Sequence, residues 1–246
     1  MSFESYTDCI LRAFRSHPRS ADIVKRKQDI LHGVAGFHNF TPNSVLYVGF
    51  NPAILAETAD NIAVTYISQE ACDFLDSNGI NFEFIPPSSL GNFEKQFESV
   101  IALDEFFTFA KTDQEQKDII EKICNVTSEY MITTCRDYKN QEFKDREFSV
   151  PALIRTQKTN DIYLEFHDHD LHDRNSWKTQ VFEISGNEMN SIGPFERRAI
   201  FFKQLAKFSS DAGAVGFSVH KNFMYKSLIK KNYEHVISIR FDDNGH

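Results

Sequence analysis

The 246-residue chain contains no apolar run of the ~18 residues that a transmembrane helix needs, so no membrane span is expected. Its first residues, Met1-Ser2-Phe3-Glu4-Ser5, lack the basic and then apolar pattern of a secretory signal. The expectation is a cytoplasmic protein. The four cysteines, Cys9, Cys72, Cys124 and Cys135, are far apart and form no CxxC pair. That argues against a zinc site made of cysteines and implies reduced thiols, with Cys135 as a core residue. No GxxxxGK(S/T), GxSxG or paired catalytic Cys/His pattern occurs, which leaves nucleotide hydrolysis and acyl transfer without support. Internal repeats and low-complexity segments are missing too. With a net charge of −8, the whole chain lacks the basic surplus that nonspecific nucleic-acid binding uses.

What is present begins with hydrophobic content. At 41% it suffices for one large α/β domain. The most informative stretch is Ser44-Val45-Leu46-Tyr47-Val48-Gly49-Phe50-Asn51-Pro52. A short apolar run stops at a glycine, and a helix is expected from Pro52 to Thr58. Asn51 suits the helix N-cap, and Pro52 suits the first helical position, where no N–H is needed. A buried strand ending in such a turn is the first unit of a doubly wound α/β sheet. Ligands of these sheets bind at the carboxyl ends of the strands.

The periodicity predicts helices over residues 4–16 and from Ala21 to Val34, an N-terminal helical segment covering residues 1–43. Lys25-Arg26-Lys27 reads as the wet face of the second helix. Strands are expected at Ser44–Val48, Ile62–Ile67, Asn81–Ile85, Ser99–Leu103 and Glu129–Cys135, with helices at Gln69–Ser77 and Gln114–Cys124. Their alternation predicts a mostly parallel sheet with helices on both faces, within an α/β domain spanning residues 44–246. Lys139–Glu147 reads as loop or a short helix. Asp161–Phe166 and Trp177–Ile184 read as a β-hairpin inserted at about 161–184, in which Ile162, Leu164 and Phe166 alternate with Tyr163, Glu165 and His167. Pro194 to Phe208 reads as an amphipathic helix, and Gly216–His220 and His235–Phe241 as closing strands.

This order of elements resembles the class I S-adenosylmethionine-dependent methyltransferases, over roughly residues 20–140 and more loosely to the end. Val45–Gly49 occupies the position of that family's glycine-bearing first motif. Val100-Ile101-Ala102-Leu103-Asp104-Glu105-Phe106-Phe107 resembles its fourth motif, and Thr127–Thr134 its fifth strand. The resemblance implies a Rossmann-like fold and a transferase that places S-adenosylmethionine across the ends of strands one, two and four. It implies Gly49, Asn51, Tyr66, Glu70 and Asp104 as cofactor-binding positions. Asp104 and Glu105 would hold the cofactor's amino group and act on a substrate. The chain departs from the pattern in two places. Phe50 and Asn51 stand where glycines usually follow, and Tyr66 stands where an acid normally accepts both ribose hydroxyls. Glu70, just beyond, is the substitute carboxylate, or an ordinary acid in the first turn of a helix. The methyl acceptor is not legible.

Two further features have functional and bland readings. His167-Asp168-His169-Asp170-Leu171-His172-Asp173 concentrates imidazoles and carboxylates, the donors that zinc, iron or manganese take. A solvated hairpin tip explains the same residues, and no HExxH pattern accompanies them, so no metal is expected. His167 is alternatively a general base near the crevice. The segment 195–240 carries nine Lys/Arg against three acids, either a solvated face or a contact for a polyanion. A non-catalytic protein retaining the fold, and a metal-dependent enzyme built on the hairpin, are the rival readings to a methyltransferase.

Overall fold

The computed structural model describes residues 3–93, 96–136, 146–152, 162–170, 172–173, 175–226 and 233–241. Helices α1 (Phe3–Ser16) and α2 (Ser20–Phe37) come first. They are followed by β1 (Ser44–Val48), β2 (Asn61–Thr65), α3 (Gln69–Ser77), β3 (Glu83–Phe84), β4 (Phe97–Ala102), α4 (Asp113–Val126) and β5 (Thr127–Arg136). Next come β6 (Arg146–Ala152), β7 (Ile162–His169), β8 (Ser176–Ser185) and β9 (Glu188–Arg198). Helix α5 (Phe202–Asp211) and strands β10 (Gly216–Lys226) and β11 (Tyr233–Arg240) close the order.

The main sheet has seven strands in the order β10-β11-β5-β4-β1-β2-β3. Strands β1 to β5 run parallel, and β11 is antiparallel to both β5 and β10. The chain moves outward from β1 through β2 to β3, then returns to place β4 on the other side of β1. That reversal makes the β1/β4 boundary the switch point at which such sheets bind ligands. As its apolar run predicts, β1 is central and buried. Its alternation feeds two layers. Val45 and Tyr47 pack with Leu31 and Val34 of α2 and Leu75 of α3, whereas Leu46 and Val48 pack with Ile120 and Ile123 of α4 and Leu205 of α5. Helices therefore cover both faces, and the fold is the doubly wound, Rossmann-like α/β type that the sequence predicts.

The predicted hairpin, β7 paired antiparallel with β8, is the middle of a separate four-stranded sheet of order β6-β7-β8-β9. Strand β6 overlaps the end of Lys139–Glu147, most of which lies outside the described residues. The helix expected from Pro194 begins only at Phe202, because Pro194–Arg198 belongs to β9. Phe195 and Arg197 are buried while Glu196 is less so, a period of two that the helical reading overlooked. Gly193 sits at φ +115, with Thr179 O 2.9 Å from where a Cβ would stand, so the backbone there passes hard against β8. The expected helix at Pro52 is a single 3-10 turn, Pro52–Ala56, capped by Asn51 Oδ1 accepting from Ala53 N at 2.9 Å.

Strand β7 turns its sides opposite to expectation. Tyr163, Glu165, His167 and His169 are buried, and Ile162, Leu164 and Phe166 are only partly so. The polar set is tolerated inside because α1 lies against it and supplies partners: Tyr6 Oη donates to Glu165 at 2.7 Å. Among the described residues, no helix is long and apolar enough to cross a membrane.

Candidate functional site

The carboxyl ends of β1, β2 and β4 carry a concentration of unusual backbone. Gly49 ends β1 at φ +75, and its N–H donates to Thr65 O across the strand ends. Tyr66, the residue after β2, has φ +54; Asp104 and Glu105, beyond β4, have φ +58 and +57. Left-handed conformations in residues with a Cβ cost of order 1–3 kcal/mol each and collect at functional sites. Two buried polar atoms at these ends, Asn51 Nδ2 and Thr65 Oγ1, have no hydrogen-bond partner among the described residues. Unpartnered buried groups of this kind are rare and destabilising by themselves.

The acidic pair predicted from the sequence divides into two environments. Asp104 is 46% exposed and takes the Lys27 ammonium at 2.5 Å, with the Lys27 side chain itself buried. Lys27 is therefore no part of a wet face. Its spacing from Ile23, Ile30, Leu31 and Val34 is that of the inner helical stripe, a signal present in the sequence. Glu105 is buried, with Arg136 Nη2 at 2.8 Å and Arg197 Nη2 at 3.9 Å, and its N–H donates to Thr134 Oγ1. Arg197 comes from β9. It donates twice to Thr108 Oγ1, at 2.9 and 2.6 Å, and its guanidinium lies 4.3 Å from the Phe109 ring centre and 5.4 Å from that of Trp177. A buried carboxylate between two guanidiniums serves as their counter-ion, and here it ties the antiparallel sheet to the end of β4.

The other predicted positions lie around this centre. Tyr66 stacks edge-on against Phe3 and Phe106, with ring centres 6.4 and 5.1 Å apart. Glu70, in the first turn of α3, pairs with Arg12 at 3.3 Å and Arg15 at 3.7 Å, both from α1. Arg12 also donates to Glu183 of β8 at 2.9 Å, so α1 is strapped to both sheets. His167 shares Thr179 Oγ1 at 3.0 Å through Nδ1 and faces Glu165 Oε2 across 3.5 Å through Nε2. Burial first, and then the Glu165 carboxylate, push the Tyr6 phenol well above its ordinary range, so it stays a donor. The space over Gly49 holds an aromatic ring: Phe3 lies 3.2 Å from where a Cβ on Gly49 would stand. Phe3 in turn meets Phe106 and Phe109 at 5.0 and 4.6 Å between ring centres.

Sequence reading missed Phe3, Tyr6, Arg136 and Arg197, all of which meet the crevice from other elements. A recess of about 420 Å³ opens at the opposite, amino ends of the strands, lined by Ser44, Asp60, Asn61, Asn81, Glu83 and Gln96 among others; it is remote from this chemistry. Among the described residues, no group of three or more His, Cys, Asp or Glu could hold a metal ion. In the predicted metal segment, Asp170 caps the turn by accepting from His172 N and Asp173 N, and Asp173 pairs with Arg198. Within the basic segment Arg197 and Arg198 are engaged by Glu105, Asp113 and Asp173. Lys203 and Lys207 are exposed on α5.

No protein-family model matches the chain, and no curated protein matches it. Solved structures do. The CcbJ methyltransferase from Streptomyces caelestis is 15% identical, with 89% of each chain covered and a TM-score of 0.62. An S-adenosylmethionine-dependent methyltransferase from Clostridium acetobutylicum is 13% identical, covering 91% of this chain and 94% of that one, at 0.62. CalS10 from Micromonospora echinaspora, an amino pentose methyltransferase with S-adenosylmethionine bound, is 10% identical, with 95% of each chain covered, at 0.59. With 89–95% of the chain covered in these three comparisons, the chain has the class I methyltransferase-like fold.

Proposed function

We propose that the protein is an S-adenosylmethionine-dependent methyltransferase acting on a small polar acceptor. The observation that carries this reading is the left-handed backbone at the β1/β4 switch point: Gly49, and with strain Tyr66, Asp104 and Glu105, all hold positive φ around one crevice. The donor set fits the cofactor's chemistry. Asn51 Nδ2 and Thr65 Oγ1 are buried polar atoms awaiting partners, and Asp104 keeps a half-exposed carboxylate suited to an amino group or ribose hydroxyl. Tyr66, Phe106 and Phe109 offer ring faces and edges for a purine. Glu70, drawn away by Arg12 and Arg15, is a tether for α1 in this reading and not a ribose ligand.

When bound, S-adenosylmethionine supplies a methyl group on a sulfonium for in-line displacement, chemistry that needs positioning and exclusion of water more than strong acid or base. The chain's own residues meet those needs. Helix α1 and the antiparallel sheet roof the crevice, which favours a small acceptor over a macromolecule. Arg197 and Glu105 fix that roof to β4. His167, held at Nδ1 by Thr179, becomes the proton acceptor for an acceptor N–H or O–H once Glu165 turns away from its Nε2. The structural likeness to CalS10, an amino pentose methyltransferase, supports such an acceptor class.

Titration calorimetry with S-adenosylhomocysteine tests the reading. Binding is expected, weakened at least about tenfold by Asp104→Asn, the loss of one charge-assisted hydrogen bond. Absence of binding at millimolar ligand would leave the non-catalytic reading, which the aromatic filling over Gly49 and the missing carboxylate after β2 favour.

A further inference from the structure

Helix α1 is held unevenly along its length. Its middle is strapped by Arg12 to Glu183 and Glu70, one on each side of the crevice. Its first turn is held by ring contacts of Phe3 with Tyr66, Phe106 and Phe109, by those of Tyr6 with Phe109 and Phe195, and by the Tyr6–Glu165 hydrogen bond. Ring contacts are individually modest, and a helix end frays more easily than its middle. Yet this turn, held by rings and one hydrogen bond and by no ion pair of its own among the described residues, fills the space over Gly49. At Gly49 a single added carbon would already press on the Phe3 ring at 3.2 Å, so no ligand can lie over that glycine while Phe3 stays.

We propose that the first turn of α1 is an internal occupant of the cofactor crevice, and that ligand binding requires Phe3 to lift away from Gly49. This rests on the crevice being the cofactor site. Lifting the turn also withdraws Tyr6, whose hydroxyl caps Glu165 on β7. Opening of the cofactor side therefore uncovers the Glu165–His167 side of the crevice in the same movement. The closed form keeps the two halves from filling independently, and the ligand-free protein carries its own plug. In such a system the apparent affinity is the intrinsic affinity multiplied by the fraction of open molecules, so a change that releases the plug tightens binding without adding a contact.

The experiment compares S-adenosylhomocysteine binding by the parent protein, Phe3→Ala and Tyr6→Phe in calorimetry, with hydrogen exchange of the same samples. Phe3→Ala is expected to bind about tenfold tighter than the parent, and Tyr6→Phe to bind tighter by a smaller factor. In the parent, saturating ligand should reduce amide protection at residues 7–10, whose N–H groups bond the carbonyls of the first turn of α1, while raising it around residues 45–51. Tyr6→Phe retains the ring, so it reports on the plug even if Phe3→Ala folds poorly. Equal or weaker binding by both variants, with unchanged exchange in α1, would make Phe3 a wall of the site and overturn the proposal while leaving the cofactor reading intact. No binding by any of the three proteins would remove the cofactor reading and the plug together.

Discussion

Replacing Arg197 with Met tests whether the two sheets are joined at the end of β4. The change removes two hydrogen bonds to Thr108 Oγ1, the stacking on Phe109 and Trp177, and one of two guanidiniums beside Glu105. Hydrogen bonds from a charged group contribute about 1.5–3 kcal/mol, and a desolvated cation–π contact up to roughly 2 kcal/mol. Breaking a buried ion pair from one side costs about 3–5 kcal/mol when it strands the partner charge. Glu105 is not stranded here, since Arg136 remains at 2.8 Å, so the electrostatic part falls below that range. Methionine also recovers some packing. These contributions overlap in one side chain and do not add, which leaves about 3 kcal/mol as the expected loss. For a chain of this size that corresponds to a fall of roughly 6–12 °C in Tm. Urea unfolding followed by far-ultraviolet circular dichroism reads the change directly, with Lys203→Ala on exposed α5 as a control expected within about 0.5 kcal/mol. A loss below about 1 kcal/mol for Arg197→Met would refute the argument that this guanidinium joins the sheets.

Two further outcomes follow from local geometry. His38 Nε2 and His220 Nε2 each lie 2.7 Å from Ser238 Oγ, and burial lowers both imidazole pKa values, with mutual repulsion adding to the effect on His38. The unfolded chain therefore takes up protons first as pH falls. This contribution is intact above an ordinary histidine pKa of about 6.5 and is lost progressively below it. Urea midpoints between about pH 7.5 and 5.5 should fall, and His38→Gln with His220→Gln should flatten that slope; an unchanged slope would show that the pair does not titrate as described. Gly193→Ala should destabilise by more than about 1 kcal/mol, because φ +115 and the Thr179 carbonyl at 2.9 Å both oppose a Cβ. Gly36→Ala, with open space around its Cβ position in α2, should be neutral or stabilising, and equal effects at the two glycines would contradict this account.

The parallel sheet was readable because its strands are buried on both faces. Val45–Val48 and Val100–Ala102 read as continuous apolar runs, and Gly49, Pro52 and the Asn78-Gly79 pair mark where elements stop. The antiparallel sheet resisted the same reading. Its inner face presents Glu165, His167, His169 and Arg197, and a pattern rule that places polar residues outside assigns the sides of β7 the wrong way round. The candidate site was half legible. Asp104 and Glu105 could be placed at a strand end from local sequence alone. Their partners could not, because Lys27 lies 77 residues before Asp104 and Glu105 is paired with Arg197 from another sheet. Charge pairing over such separations leaves no local trace, and reading Lys25-Arg26-Lys27 as a wet face passes over the inner-stripe spacing of Lys27. Phe3 escaped notice because nothing in a helix start announces which cavity its first side chain will enter.

The straps on α1 and α2 also determine when these helices can be completed during synthesis. Tyr6 awaits Glu165, Arg12 awaits Glu183, and His38 awaits Ser238, partners 159, 171 and 200 residues downstream. At about 5–20 residues per second, a ribosome delivers those partners only after roughly ten to forty seconds. Meanwhile the apolar side of α1, with Leu11 and Phe14, and that of α2, with Ile30, Leu31 and Val34, leave the tunnel before the strands that cover them. The β1–β4 core can cover α2 early. Helix α1, which seals against the antiparallel sheet, stays unfinished until β7 and β8 have been made. Docking of α1 therefore waits on β7 and β8, and the pairing of α2 with β11 through His38 and Ser238 comes later still.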